Sequence, residues 1–369
     1  MKKLLLLVGL ISLPTFASVS ANVSFASDYI WRGMTQSDGP AIQGGFDYEA
    51  ESGFYAGIWG SNVNFNDGAG SELDYYFGYG FELGSVGVDL EQQDAVVHDA
   101  RQLSEKNRRT IGSHGFELVD QPILGEEIDF FDHRQVVENY YGQCARIVEQ
   151  ATGARAFAFD HNIRSATGKQ SAKRITGGQT VQGPAHVVHG DYTLTSAPQR
   201  LRDLAKPPSG NDTLASVLKD GESLISQSMV ERSLTQGGRF AIINVWRNID
   251  DEPVATHPIA LCDGQTVEPK DLVVFEIHYQ DRVGENYFAK QATAQQWYYY
   301  PGIERSEALL IKQWDSAGPL ATSRGENGDG SNAQAPCTFS FHSAFEDPTT
   351  PDDAPDRWSI EVRCIVIYD

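Results

Sequence analysis

Cysteine is scarce in this chain: Cys144, Cys262, Cys337 and Cys364 are the four among 369 residues, and no two form a C-x-x-C pair. That excludes a disulfide-stapled scaffold and a thiolate zinc ribbon, and it fits ordinary buried thiols of a reducing compartment. Basic residues are short too, with 29 Lys and Arg against 50 Asp and Glu and a net charge of −21. Nucleic acid is excluded as a partner, because phosphates require clustered cations. An anionic membrane surface would repel the chain as well. Beyond the first residues no apolar run is long enough for a transmembrane helix. What is there, 369 residues, is enough for two domains or one large one.

The first residues differ from the rest. Lys2-Lys3 precede an apolar run from Leu4 to Leu13, and Val19-Ser20-Ala21 offers small residues for cleavage. Residues 1–21 thus have the form of a secretory signal peptide. Residues 1–90 hold three Lys or Arg and fourteen Gly, so residues 22–90 read as a separate, hairpin-rich segment. Short aromatic stretches recur there, among them Tyr29-Ile30-Trp31, Phe54 to Trp59 and Tyr75 to Tyr79, with Asp67-Gly68 as a turn signal between two of them. Alternating aromatic strands suggest part of an outer-membrane barrel. The words "SFASDYIWRGMTQSDGPAIQGGFDYEAESGFYAGIWGSNV" resemble the start of a proteobacterial family of presumed outer-membrane barrels of unknown function. About four or five strands fit in this length, whereas the smallest membrane barrels close with eight. Membrane association and export are expected through this segment alone.

From about residue 92 to 369 the style is that of a cytoplasmic enzyme. Val136, Val137, Tyr140, Tyr141, Cys144, Ile147, Val148 and Ala151 make a helical stripe that Gly153 would stop, and Leu214 to Leu234 predicts one or two more helices. Strand-like runs follow at Phe240–Trp246, Leu272–Tyr279, Gln296–Tyr300, Ala308–Trp314, Thr338–Phe341 and Ser359–Tyr368. Helices first and many short strands later predict an α+β fold: a double-stranded β-helix, or jelly roll, buttressed by helices.

His189-Gly190-Asp191 carries the chemistry. Two residues apart on an extended chain, the imidazole and the carboxylate leave the same face. With one more histidine they supply the two nitrogens and one oxygen of a facial Fe(II) site that leaves coordination positions open. About half an HxD triplet is expected by chance in such a chain, so context decides. His342 closes the run Cys337 to Phe341, where alternation puts Thr338, Ser340 and His342 on one face. His186 is an alternative to His189, while His161, His257 and His278 read as structural. Fifteen residues beyond His342, Arg357 forms R-x-S with Ser359. Arg357, Ser359, Glu361 and Arg363 share one parity, so alternation leaves both arginines open as anchors for a dicarboxylate. The R-x-S form favours Arg357, with Arg363 second. Asn244 and Arg247 lie on opposite faces of the run Ile243 to Arg247, and either face could meet substrate.

"FDHNIRS", "HGDYT", "INVWRNI", "WYYYPGIERSEALLIKQWDS", "FSFHSAFEDP" and "RWSIEVRCIVIY" resemble the fungal AsaB-type hydroxylases, a family that includes gibberellin-desaturase-like proteins and a cephem-methoxylase subunit. The resemblance runs from about residue 95 to the end. It implies Fe(II) held by His189, Asp191 and His342, with 2-oxoglutarate as co-substrate on Arg357 and Ser359. It further implies O2-dependent hydroxylation or desaturation of a small, often secondary-metabolite, molecule. A non-catalytic envelope-associated binding protein is the alternative expectation.

Overall fold

The computed structural model describes residues 17–27, 29–31, 34–35, 37, 39–50, 54–64, 70–83 and 86–91, and from 95 onward all but 126, 172, 209–211, 279–282, 323–334 and 352. The chain divides into two compact units, Met1–Ala95 and Val96–Asp369.

The first unit contains β1 (Ala17–Ala26), β2 (Ile30–Trp31), β3 (Met34–Thr35), β4 (Ala41–Ala50), β5 (Phe54–Asn62), β6 (Ser71–Leu83) and β7 (Val86–Glu91). Five of these form one antiparallel sheet in the order β1-β4-β5-β6-β7, and β2 pairs with β3. The register sets Val19 against Tyr48, Phe25 against Ile42, and Phe46 against Ile58, which in turn faces Tyr75. Cross-strand partners share a face, so that side is apolar, and it is open: Phe25 is 79% exposed and Tyr75 75%. Among the described residues no pairing joins β1 to β7, so the segment is an open sheet and not a closed barrel. Residues 1–16 of the leader and the Asp67-Gly68 turn lie outside the described residues, while Val19-Ser20-Ala21 lies within β1. No described helix of either unit is long and apolar enough to cross a membrane.

The second unit contains β8 (Val97–Asp99), β9 (Phe116–Asp120), β10 (Arg155–Arg164), β11 (His189–Gly190), β12 (Phe240–Asn248), β13 (Ile259–Cys262), β14 (Leu272–His278), β15 (Val283–Ala289), β16 (Trp297–Tyr299), β17 (Glu307–Asp315), β18 (His342–Ala344) and β19 (Ser359–Ile367). They make two sheets, β10-β19-β12-β17-β9 and β14-β15-β11-β18-β13-β16-β8. Within them, β10-β19-β12-β17 and β11-β18-β13-β16 are the two four-stranded halves of a jelly roll, and the chain crosses repeatedly from one to the other. The expected helical stripe is present: Tyr141–Thr152 buries Tyr141, Cys144, Ile147 and Val148 and packs on β10 and β19. It ends at Gly153, whose φ of 69° is the left-handed cap that glycine adopts without strain. A π-helical turn, Val136–Tyr140, precedes it and brings Tyr140 and Tyr141 side by side onto the sheet. All four cysteines are free and buried.

Of Leu214 to Leu234, expected to hold one or two helices, the 3-10 turn Thr213–Ser216 and the helix Gln227–Leu234 are helical, with the polar stretch around Lys219-Asp220-Gly221 between them. One expectation needs correction. Thr338 to Phe341 is not a strand. Ser340 N donates to the Lys312 carbonyl on β17, while the Phe341 carbonyl accepts from Cys262 N on β13. The segment therefore bridges the two sheets instead of extending either, and its polar face is buried with the rest.

Candidate metal centre

The 153 residues between His189 and His342 vanish in the fold. Strands β11 and β18 are antiparallel neighbours, and His189 sits directly opposite His342. Their ring centroids are 4.4 Å apart. Asp191 follows His189 at the end of the short strand, with Oδ1 3.5 Å from His189 Nε2. One ligating atom from each of the three residues lies within 4.8 Å of the others. His186 is elsewhere, its ring against that of His257 at 5.1 Å. His161 meets the Tyr141 hydroxyl at 2.8 Å, as a structural histidine would.

The protonation states suit a cation. His189 Nδ1 lies 2.7 Å from the Val187 carbonyl. Only a donating Nδ1–H satisfies that contact, which turns Nε2 toward Asp191. Burial, with His189 nearby, pushes His342 down to about 3, so it is neutral. Its Nδ1 is buried without a hydrogen-bond partner. Burial raises the Asp191 carboxyl, but its charged neighbours, Arg363 foremost, more than offset this and hold it well below the usual range. A neutral His342 with an orphaned ring nitrogen, an ionised Asp191 and the His189 Nε2 turned toward it fit a divalent ion. The donor set of two nitrogens and one oxygen matches Fe(II).

The inner face of the neighbouring sheet supports this cluster in rungs. Register places Asp160 opposite Arg363 and Arg363 opposite Asn244; the next rung is Asn162, Glu361 and Trp246; the next is Arg164, Ser359 and Asn248. In the first rung Asn244 Nδ2 donates to Asp191 Oδ2 at 3.0 Å, and Arg363 Nε approaches the same oxygen at 3.3 Å. Arg363 Nη1 donates to Asp160 at 2.9 Å and Nη2 to Glu361 at 3.2 Å. The Asn162 amide, oriented with its carbonyl toward Arg363, accepts from both Nη atoms at 3.0 Å.

These contacts bear on three expectations. Arg363 is engaged at all three nitrogens, which leaves no free fork for a diacid. Asn244 donates to Asp191 through Nδ2, while its own Oδ1 stays unpartnered. Arg247 points out of the barrel, as strand alternation dictates. There its guanidinium donates to the Tyr140 hydroxyl and to the carbonyls of Arg305 and Gln121, each at 2.7 Å. It pins the helical layer to the sheet.

Arg357 behaves differently. It lines one narrow pocket with His189, His342, Arg164, Trp246 and Glu361. Its side chain is 3% exposed, and burial pushes its pKa down to about 10. Nη1 donates to the His257 carbonyl, but Nε is buried with no partner, and so is the Ser359 hydroxyl. Asp356, its neighbour in sequence, is occupied by the Ser165 hydroxyl at 2.6 Å and the Thr167 hydroxyl at 2.7 Å. Arg164 escaped the sequence reading, because β10 is interrupted by a bulge between Ala158 and Asp160 and shows no clean alternation. A larger cavity of about 390 Å3, lined by His133, His161, Asn162 and Thr213 among others, adjoins the same network through Asn162.

Comparison with known proteins agrees with this geometry. Residues 81–367 match the family described as an oxidoreductase/YMDC permease-like domain. Residues 14–102 match a family of bacterial proteins of unknown function. The chain is 42% identical over 205 residues to an uncharacterised protein of Methylophilus leisingeri, covering 55% of this chain and 88% of that one. It is 30% identical over 276 residues to the Fe(II)/2-oxoglutarate-dependent dioxygenase NvfI of Aspergillus novofumigatus, covering 73% and 81% of the two chains. The solved structure of NvfI, an iron and α-ketoglutarate-dependent endoperoxidase, superimposes with a TM-score of 0.55 at 23% identity, covering 82% of this chain and 90% of that one. The chain belongs to this oxidoreductase family and is an Fe(II)- and 2-oxoglutarate-dependent oxygenase.

Proposed function

We propose that His189, Asp191 and His342 hold the iron, and that Arg357 with Ser359 binds the far carboxylate of 2-oxoglutarate. Residues 92–369 then make up the catalytic part. One observation carries the reading: three ligating groups converge within 4.8 Å beside a pocket lined by Arg357, whose buried Nε lacks a partner, as does the buried Ser359 hydroxyl two residues on. A buried donor left unsatisfied costs roughly 1–3 kcal/mol, so an acid accepting from both would recover that cost. Iron held there would supply O2-dependent oxidative decarboxylation of 2-oxoglutarate, to succinate and CO2, coupled to oxidation of a substrate C–H bond. The protein's own groups do the rest. Asn244 and Arg363 keep Asp191 ionised and turned toward the histidines, and the Val187 carbonyl fixes the His189 tautomer. The organic substrate is a small molecule, and the 390 Å3 cavity past Asn162 is of the size such ligands fill. Hydroxylation and desaturation differ in how many hydrogens are removed, and hence in how the substrate is held.

The test is succinate formation from 2-oxoglutarate by the iron-loaded protein in air. Wild type is expected to form it, and the His189→Ala and Asp191→Ala variants are expected to bind no iron and form none. Turnover retained in either variant would refute the ligand assignment.

For the N-terminal unit we infer attachment to an apolar phase, as barrel-like spacing suggests. The support is the exposed face carrying Phe25, Phe46 and Tyr75. Cell fractionation of the full chain tests this, and recovery wholly in the soluble fraction would refute it.

A further inference from the structure

Arg164 ends β10 and faces Ser359 directly across the β10/β19 register. It lines the same pocket as Arg357 and the two histidines. Its Nη1 donates to the Gly183 carbonyl at 2.9 Å. Among the described residues neither Arg164 nor Arg357 makes an ion pair, whereas Arg363, two rungs further along, carries three. Arg357 is buried and Arg164 half-buried, and two guanidiniums converging on one pocket with no carboxylate at ion-pair distance repel each other. Arg357 is lowered first by that burial and then by Arg164 itself. Glu361, also in the pocket wall, is held on its far side by Arg363 Nη2. An arrangement of this kind is stable when an anion sits between the two cations.

We propose that Arg164 is a second co-substrate arginine, which grips the distal carboxylate of 2-oxoglutarate together with Arg357 and Ser359. The inference rests on the co-substrate reading given above, and it adds a residue that the R-x-S pattern does not contain. It also bears on selectivity. Two planar forks and a hydroxyl around one carboxylate favour a dicarboxylate over a keto monoacid by more than one arginine could. The pocket holds about 20 Å3, room for roughly one water. Side chains of the pocket wall must therefore move to admit the acid.

The experiment is calorimetric binding to the full-length protein, loaded with Mn(II) and kept free of O2, using two probes: 2-oxoglutarate and 2-oxobutyrate, which lacks the distal carboxylate. Arg164→Met is expected to weaken 2-oxoglutarate at least tenfold while changing 2-oxobutyrate and Mn(II) affinity less than twofold. Arg164→Lys keeps the charge without the fork and should lie between the two, and it serves should the methionine variant fold poorly. If Arg164→Met binds 2-oxoglutarate as wild type does while Arg357→Met loses it, the inference falls and the co-substrate reading stands. If Arg357→Met also binds as wild type, both fall. Equal weakening of both probes would move Arg164 to the keto-acid end and overturn the distal assignment.

Discussion

Arg363 and Arg357 stand six residues apart in sequence, the first largely and the second fully buried, yet they sit in opposite states. Arg363 is held by Asp160, Asp191, Glu361 and Asn162, so its position is fixed whether or not a ligand is present. Arg357 has one carbonyl and an orphaned Nε, with an orphaned hydroxyl two residues on. Proteins seldom bury unpaired donors, because each costs free energy that a satisfied one does not. The histidine end of this inner face is fixed by contacts within the protein, and the arginine end keeps donors unspent. The R-x-S pattern in the sequence thus marks the unsatisfied arginine, while parity alone could not separate the two.

The largest effect expected is at the metal end. His342→Ala removes one of three ligating groups from the cluster and should abolish Fe(II) binding and turnover together, checked by metal analysis after dialysis. Iron retained at wild-type stoichiometry would break the contrast at its centre. A smaller loss is expected one layer out. Arg363→Lys keeps a charge near Asp191 but cannot span three carboxylates at once. Groups that orient a metal ligand typically contribute 10- to 100-fold in affinity, so roughly that weakening of iron binding is expected in a competition titration with a chelator. Arg363→Met strands Asp191 and Glu361, whose side chains are 10% and 7% exposed, and should lower stability by about 3–5 kcal/mol in urea melts. If both variants bound iron normally, the first rung would be mere packing. Asn244→Ala comes next. It removes one hydrogen bond to Asp191 and also the unpartnered Oδ1, so about 1 kcal/mol and a several-fold loss of iron affinity are expected.

How much of this was legible beforehand differs by residue. His189, Asp191 and His342 were readable because HxD in an extended segment fixes a shared face, and because a histidine ended an alternating run. That the run itself is no strand could not be read, since its bonds go to two different sheets. The helix Tyr141–Thr152 and strands β12, β17 and β19 follow from plain periodicity and strong apolar content. Strand β10 does not, because Asp160, His161 and Asn162 break the apolar alternation for the sake of the network, and with it went Arg164. Asn244 and Arg247 were correctly set on opposite faces, but alternation says which side chains part company and not what each meets. The open five-stranded sheet of residues 17–91 was foreshadowed by its turn-rich aromatic pattern. Closure, which needs more strands, was not available to it.

The smallest effect gives the sharpest comparison. Ser359→Ala deletes a buried hydroxyl that has no partner, whereas Asn244→Ala deletes an amide that has one. Removing an unsatisfied polar atom costs no hydrogen bond within the protein and can relieve a desolvation penalty. Stability in urea should therefore stay within about 0.5 kcal/mol of wild type, or rise. If the hydroxyl is there for a carboxylate, the same substitution should still weaken 2-oxoglutarate by about three- to tenfold, the worth of one hydrogen bond of 0.5–1.5 kcal/mol, and leave iron affinity unchanged. A variant that loses stability but binds the acid normally would show that Ser359 belongs to the structural rungs. The division of the inner face would then lie between Ser359 and Arg357, and not between Arg363 and Ser359.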